Sequence, residues 1–283
     1  MKIGAIFKNL AGALGRVFPD CVTLGQAIAF NMFLAFFPLL LLALGVLGAT
    51  SLFPDALKEI PSRLSLILPP GSSRVVAEYF VRRAVHPWRW FSLGLAGTML
   101  AGSQVMIGYM EAFRVIGGDL LRPGYWRRQF RALALLCLTI VPMLAVVVLT
   151  VFGRQIRSSQ LFRIGSPNFT RELEVAGYVA VVFLLAMGVL VLLYRIGRPG
   201  HPGLRPLLPG AVVATVLWWT ADGIFGWYVR MMPYDVVYRG LASAIGLLLW
   251  MFLTAIIVLL GAAYNAEAED AARAGRRVTV LIP

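Results

Sequence analysis

The sequence predicts an all-α polytopic membrane protein with six transmembrane helices and short amphipathic helices in the first long loop. Three observations predict this class. The 283 residues are 59% apolar and only 14% charged, whereas soluble domains are about 45–50% apolar and about 25% charged. The mean hydropathy is +0.80. The apolar residues also form unbroken runs near the ~20 residues that a helix needs to cross a bilayer, without the alternation of a membrane barrel.

The order of polar and apolar segments divides the chain into three parts. Residues 1–23 are polar and mildly basic, lack the apolar core and cleavage site of a signal peptide, and are expected to be cytoplasmic. A six-helix transmembrane domain is predicted over 24–265, and a cytoplasmic tail over 266–283. The predicted spans are residues 24–49, 90–113, 130–152, 175–195, 208–231 and 240–264.

Arginines set the predicted orientation. An even number of spans places both termini on one side, and five arginines crowd the short second loop and its borders: Arg114, Arg122, Arg127, Arg128 and Arg131. Short loops rich in Lys and Arg stay in the cytoplasm. The termini are therefore predicted to be cytoplasmic.

The first long loop, residues 51–89, is too long for a simple turn. Apolar residues recur there at helical spacing around Pro61, and Ser72 is a candidate cap for a second short helix. Amphipathic pieces of this kind lie in the membrane interface or cap a bundle. Capping is the expected role, and a surface that gathers amphiphiles is the alternative.

The excess of basic residues has two interpretations. Lys and Arg number 26 against 13 acidic residues, for a net charge of +13. The arginines are spread over every segment between spans instead of forming one stripe, so no nucleic-acid partner is expected. They either set topology and anchor the chain, or bind anionic lipid headgroups, since Arg pairs well with phosphate.

Catalytic and metal-ligating residues are sparse. His86 and His201 lie in different loops, and Cys21 and Cys137 are far apart. Metal-dependent hydrolysis of phosphodiesters needs clustered carboxylates or histidines. We therefore expect no enzyme activity, no catalytic residues, no metal and no cofactor.

Polar residues inside the spans are the stronger candidates for function. Asp222 lies near the middle of the fifth span, where an ionised carboxylate costs about 2.5–3.5 kcal/mol. It is expected to face the protein interior, as a functional group or as a structural lock. Glu111 and Arg114, one turn apart, predict an ion pair. Gln104 and Asn31 complete the candidates, and Asn31 suits an interhelical hydrogen bond.

Two features bear on helix packing. Gly94, Thr98 and Gly102 are spaced four apart and predict a face for close approach of another helix. Pro38 should kink the first span, because proline removes one backbone hydrogen bond.

Several segments resemble a known family. The last span ends in Leu259-Leu260-Gly261-Ala262-Ala263-Tyr264-Asn265-Ala266-Glu267, the fifth opens with Leu208-Pro209-Gly210-Ala211, and the first contains Ala27-Ile28-Ala29-Phe30-Asn31. In these segments the chain resembles the YihY/virulence factor BrkB family of bacterial inner-membrane proteins, over essentially its whole length. Two departures are Arg239-Gly240 after Tyr238, and Asp222.

The resemblance implies six transmembrane helices in the bacterial inner membrane with cytoplasmic termini. Members have been linked to serum resistance, to export or flipping of lipopolysaccharide precursors and, through a naming error, to ribonuclease activity. The predicted function is handling of lipids or amphiphiles, moving anionic lipids or lipopolysaccharide precursors between leaflets or towards an export partner. A non-transporting envelope scaffold is the alternative, and a membrane-bound nuclease is disfavoured because metal-ligand clusters are absent from the sequence pattern.

A candidate site for anionic lipid lies around the last short loop. Arg230, Tyr234, Tyr238 and Arg239 place guanidinium groups and aromatic rings at the depth of the headgroups. Interfacial anchoring is the alternative interpretation of the same residues. The expected partners are membrane lipids with anionic headgroups and envelope export proteins.

Overall fold

The computed structural model describes residues 3–18, 20–49, 87–119, 124–140, 169–198, 203–231 and 239–281, and every regular element in these ranges is a helix. In chain order the helices are α1 (Ile3–Val17), α2 (Asp20–Ala49), α3 (Pro87–Ile116), α4 (residues 125–140), α5 (Phe169–Gly197), α6 (Leu208–Met231) and α7 (Arg239–Leu281). A short 3-10 turn at Arg205–Leu207 leads into α6. The predicted all-α class is confirmed.

Five helices in the described ranges are long and apolar enough to cross a membrane. These stretches are Cys21–Leu42, Phe91–Ile116, Val179–Gly197, Arg205–Tyr228 and Ala244–Arg273. They overlap five of the six predicted runs. In the remaining run, residues 130–140 are helical, and residues 141–152 lie outside the described ranges. The chain is a polytopic membrane protein.

The terminal segments are helical, which their polarity alone did not predict. Helix α1 occupies most of the N-terminal segment, and α7 continues for 43 residues to Leu281, well beyond the last apolar run. The extension is rich in Ala, Glu and Arg, which are strong helix formers. The two short helices predicted in the first long loop fall on residues outside the described ranges.

The chain divides into two compact units. Unit 1 comprises Met1–Cys21, Met110–Trp218 and Ile257–Pro283, and unit 2 comprises Val22–Tyr109 and Trp219–Ile256. Helices α2, α3, α6 and α7 each contribute residues to both units.

In unit 2, α2 and α3 pack closely through glycine. A Cβ atom added to Gly94 would lie 2.5 Å from the backbone nitrogen of Leu42, and one added to Gly97 would lie 2.8 Å from the Cβ of Pro38. Thr98 and Gly102 are buried on α3. The predicted close-packing face is therefore confirmed, and α2 is continuous through Pro38.

Candidate functional site

A buried asparagine joins α7 to the start of α6 in unit 1. The Gly210 N–H donates to Asn265 Oδ1 at 2.7 Å, and Asn265 Nδ2 donates to the Leu207 carbonyl at 3.1 Å. The Asn265 side chain is buried. N–H groups in the first turn of a helix lack hydrogen-bond acceptors within that helix. Asn265 on α7 therefore supplies the acceptor for the Gly210 N–H of α6.

Glycines allow the backbones of α6 and α7 to approach closely where the two helices cross. A Cβ on Gly210 would collide with the Gly261 carbonyl oxygen, and a Cβ on Gly261 would lie 2.7 Å from the Cβ of Ala214 and would collide with the Tyr194 hydroxyl. Small residues at helix crossings of membrane proteins permit this close approach. Neither glycine can carry a side chain without moving the backbone.

Tyr194 extends the crossing to α5. Its buried hydroxyl donates to the Val258 carbonyl at 2.9 Å, and its ring meets Phe113 edge-on, with 5.5 Å between centroids. A cavity of about 10 Å³ lies beside these groups, close to the smallest cavity that can hold one water molecule. It is lined by Phe113, Ile116, Tyr194, Arg198, Leu207, Ala262 and Asn265. This region is packed too tightly to admit a lipid.

Ion pairs fix the polar extension of α7 to α1. Arg16 on α1 binds Glu267 through Nε, and its Nη2 donates to Asp270 Oδ2 at 2.6 Å. Partial burial lowers the pKa of Arg16, but the hydrogen bonds and charges of Asp270 and Glu267 outweigh this and raise it above its ordinary value. Arg16 is therefore a permanent cation held by two carboxylates.

A second ion pair fixes the extension to α5. Arg198 donates to both oxygens of Glu269, at 2.9 and 3.1 Å. Arg273 approaches Glu269 and Asp270 at 3.7 Å each. The acidic residues of the extension are thus neutralised by basic residues within unit 1. The sequence interpretation missed this cluster, although Asn265 and Glu267 belong to the motif that carries the family resemblance.

Glu111 and Arg114 form the predicted pair. Arg114 donates to both Glu111 oxygens, at 3.2 and 2.7 Å, and its Nη1 donates to the Asp119 carbonyl at 2.6 Å. The hydrogen bond to the Asp119 carbonyl holds the chain in place just after α3 ends. Both side chains are therefore used within the protein.

Asp222 differs from its prediction. Its side chain is exposed, although Trp218 and Gly226, one turn before and after it on α6, are half-buried. Nearby, Phe225 packs at 5.3 Å between ring centroids on Trp250. The expectation that Asp222 faces the protein interior is wrong, because no neighbouring side chain in the described part of the chain covers this position.

Asp222, Gln104 and Asn31 lie at similar depth in unit 2. On α2 and α3, Ile28 lies against Gly108 and Pro38 against Gly97, an antiparallel register that brings Gln104 level with Asn31. Helix α7 relates α2 to α6: Ile256 on α7 contacts the position of Gly25 on α2, and Trp250 on α7 contacts Phe225 on α6. These contacts place Asp222 within about one helical turn, ~5 Å, of the level of Asn31. Gln104 is exposed and Asn31 half-buried. We call these three residues the polar layer.

The candidate lipid site around the last short loop remains a prediction. Tyr234 and Tyr238 lie outside the described residues, as do the side chains of Arg230 and Arg239. Among the described residues, no group of three His, Cys, Asp or Glu side chains could hold a metal ion.

Comparison with known proteins assigns the chain to a family. The family described as virulence factor BrkB matches residues 18–279. A UPF0761 membrane protein of Alkalilimnicola ehrlichii is 26% identical over 251 residues, which are 87% of this chain and 54% of that protein. One of Haemophilus influenzae is 21% identical, over 83% of this chain and 85% of its own length.

A third relative carries a different name. A Bacillus subtilis protein whose name describes it as ribonuclease-like is 30% identical over 125 residues, 44% of this chain and 46% of its own length. This chain spans about half the length of several of its curated relatives. No solved structure matches it significantly. The match to nearly the whole sequence places this multi-pass membrane protein in the virulence factor BrkB family.

Proposed function

We propose that the chain handles lipids or amphiphiles in the bacterial inner membrane, without enzyme activity and with both termini cytoplasmic. It would move anionic lipids or lipopolysaccharide precursors between leaflets or towards an export partner. The observation that carries the proposal is the exposed Asp222 side chain inside a membrane-spanning helix.

The Asp222 carboxyl group needs a polar partner at membrane depth. A charged side chain at the bilayer centre costs about 2.5–3.5 kcal/mol unless it meets water, protein or another polar group. Gln104 and Asn31, at similar depth, add amide donors and acceptors. Together the polar layer could offer a passing headgroup hydrogen bonds in the zone where hydrocarbon offers none.

Transbilayer movement of a labelled lipid tests the proposal. The protein is reconstituted in liposomes with fluorescent phosphatidylglycerol, and dithionite reports label reaching the outer leaflet. Wild type should accelerate the exchange over protein-free liposomes. Asp222→Asn should slow it about tenfold, as expected when about 1.4 kcal/mol of interaction is lost.

Thr220→Val is the matched control, because Thr220 is also exposed on α6 but lies on the opposite side of that helix. It should exchange lipid at the wild-type rate. Wild-type exchange no faster than in empty liposomes would refute transport. Equal rates for wild type and Asp222→Asn would remove the polar layer from the mechanism.

A non-transporting scaffold is the second candidate, and the tight packing around Asn265 favours it. A scaffold needs a rigid framework and no lipid path, and the cavity there is large enough for one water molecule at most. It would show no lipid exchange, and Asp222→Asn would support envelope function as well as wild type does.

Orientation is tested by single cysteines introduced at Ser72 and Gly275 after replacement of Cys21 and Cys137. In intact spheroplasts, an impermeant thiol reagent should label position 72 and not position 275. The reverse labelling would place the termini outside the cytoplasm.

A further inference from the structure

Asp222 lies on a face of α6 that is covered by protein in the first half of the helix. Ala211 and Thr215 are fully buried, Trp218 is half-buried and Asp222 is exposed. Residues three and four apart on a helix are neighbours on its surface, so these four residues share one face. That face is therefore closed at the start of α6 and opens at Asp222.

The exposed apolar side chains of α6 lie elsewhere around the helix. Val216 and Trp227 are both exposed, and at 3.6 residues per turn they point about 120° and about 140° away from Asp222. Outward apolar side chains of a membrane-spanning helix suit lipid acyl chains, which are equally apolar. Asp222 therefore lies apart from the surface of α6 that suits acyl chains.

Among the described residues, Asp222 has no cation beside it. It takes part in none of the ion pairs of the described ranges. The flanking arginines of its own segment, Arg205 and Arg230, are about 25 Å and about 12 Å away along the helix. Basic residues of the described spans lie close to the span ends: Arg114, Arg195, Arg205 and Arg273. A carboxylate without a neighbouring cation repels a phosphate group.

A carboxylate in these surroundings favours hydrogen-bond donors. Its two oxygens accept hydrogen bonds and donate none, and hydrogen bonds to an ionised acceptor are about twice as strong as neutral ones. The phosphate of a phospholipid offers acceptor oxygens, whereas a glycerol or sugar headgroup offers hydroxyl donors. Because Asp222 lies within the Arg205–Tyr228 span, a lipid headgroup is better placed than a soluble polyol to bring a hydroxyl group to it.

We propose that Asp222 binds the hydroxyl groups of phospholipids with a polyol headgroup, and so selects which lipids the chain moves. This selection rests on the lipid movement proposed above. The hydroxyl groups donate to the carboxylate, and the phosphate of the same lipid stays away from it. A site built around a hydroxyl group rejects an analogue that lacks the hydroxyl, so lipids of equal charge are told apart.

Two labelled lipids of equal charge test the selection. Phosphatidylglycerol and phosphatidylmethanol each carry one negative charge on phosphate, and only phosphatidylglycerol has hydroxyl groups in its headgroup. Both carry the same fluorescent acyl chain, and exchange is measured in liposomes with dithionite. Wild type should exchange phosphatidylglycerol about tenfold faster, as expected for a hydrogen bond to a charged group. Asp222→Asn should slow phosphatidylglycerol to the rate of phosphatidylmethanol.

The same variant should exchange phosphatidylmethanol at the wild-type rate, which controls for folding and insertion. Asp222→Glu keeps a carboxylate and should retain a preference for phosphatidylglycerol. Thr220→Val, on the opposite side of α6, should keep the whole preference.

Three results would overturn the selection. Equal exchange of both lipids by wild type would refute it and leave the proposed transport standing. An equal effect of Asp222→Asn on both lipids would mean that the charge acts on phosphate instead of the hydroxyl groups. Exchange of neither lipid above the rate in protein-free liposomes would refute transport itself, and the selection with it.

Discussion

Polar residues in the helices of the two units have different surroundings. In unit 1, Asn265, Tyr194 and Glu269 each bond to a group on another helix. In unit 2, Asp222 and Gln104 are exposed although both lie in membrane-spanning stretches. Polar side chains therefore bond segments together in unit 1, whereas two of those in the membrane-spanning stretches of unit 2 are exposed.

This difference distinguishes polar residues that stabilise the fold from polar residues that are available for function, which amino-acid composition alone does not do. A polar group that is satisfied inside the protein contributes to the folded state, and its loss leaves a buried partner unpaired. A polar group that is exposed at membrane depth costs free energy without contributing to packing. We therefore expect substitutions in unit 1 to change folding, and substitutions of the polar layer to change lipid handling.

The largest effect should follow Gly210→Val. Its added atoms would collide with the Gly261 carbonyl and the Asn265 side chain, so the crossing of α6 and α7 would have to open. We expect a loss of at least about 3 kcal/mol of stability, measured as thermal unfolding in detergent. Gly223→Ala is the control, since nothing lies within 4 Å of that position, and should change stability by less than about 1 kcal/mol. Equal losses would show that glycine matters throughout α6.

Asn265→Leu should come next. It leaves the Gly210 N–H unpaired in a buried position and removes a donor to the Leu207 carbonyl, at a cost of about 1–3 kcal/mol. Gln104→Leu removes an exposed amide in unit 2 and should change stability by less than about 0.5 kcal/mol. A larger loss from Gln104→Leu than from Asn265→Leu would invert the comparison between the units.

The ion pairs of unit 1 should have smaller effects. A double-mutant cycle with Arg198→Ala and Glu269→Ala should give a coupling of about 1 kcal/mol, because the two-point contact leaves side chains only 18% and 17% exposed. The same cycle for Arg273 and Glu269, where Arg273 is 68% exposed and the contact is 3.7 Å, should give about 0.3 kcal/mol. Equal couplings would mean that burial does not set their strength.

Features of the fold that depend on a local sequence pattern could be predicted from the sequence. The apolar runs located helices because span length is a local property, and the spacing of Gly94, Thr98 and Gly102 located a packing face. The Glu111–Arg114 pair followed from its spacing of three on one helix.

What the sequence did not reveal depends on contacts between distant segments. Arg16 and Glu267 are 251 residues apart, and Asn265 meets Gly210 only because α6 and α7 cross there. The polarity of Asp222 predicted that its side chain would face the protein interior. Whether other residues bury one side of α6, however, depends on the packing of the other helices. The short motif at Asn265 and Glu267 was visible in the sequence, and only the fold shows what it holds together.

The smallest change in stability should follow Asp222→Asn, and this makes it the sharpest test of the comparison. The amide keeps the size of the side chain and removes its charge, and because the side chain is exposed, little packing can be lost. Unfolding in detergent should therefore shift by less than about 0.5 kcal/mol, while lipid exchange falls. A clear loss of stability would mean that the carboxylate has a structural partner, and unit 2 would then resemble unit 1. Unchanged stability with reduced exchange would place the function of this residue outside the packing of the chain.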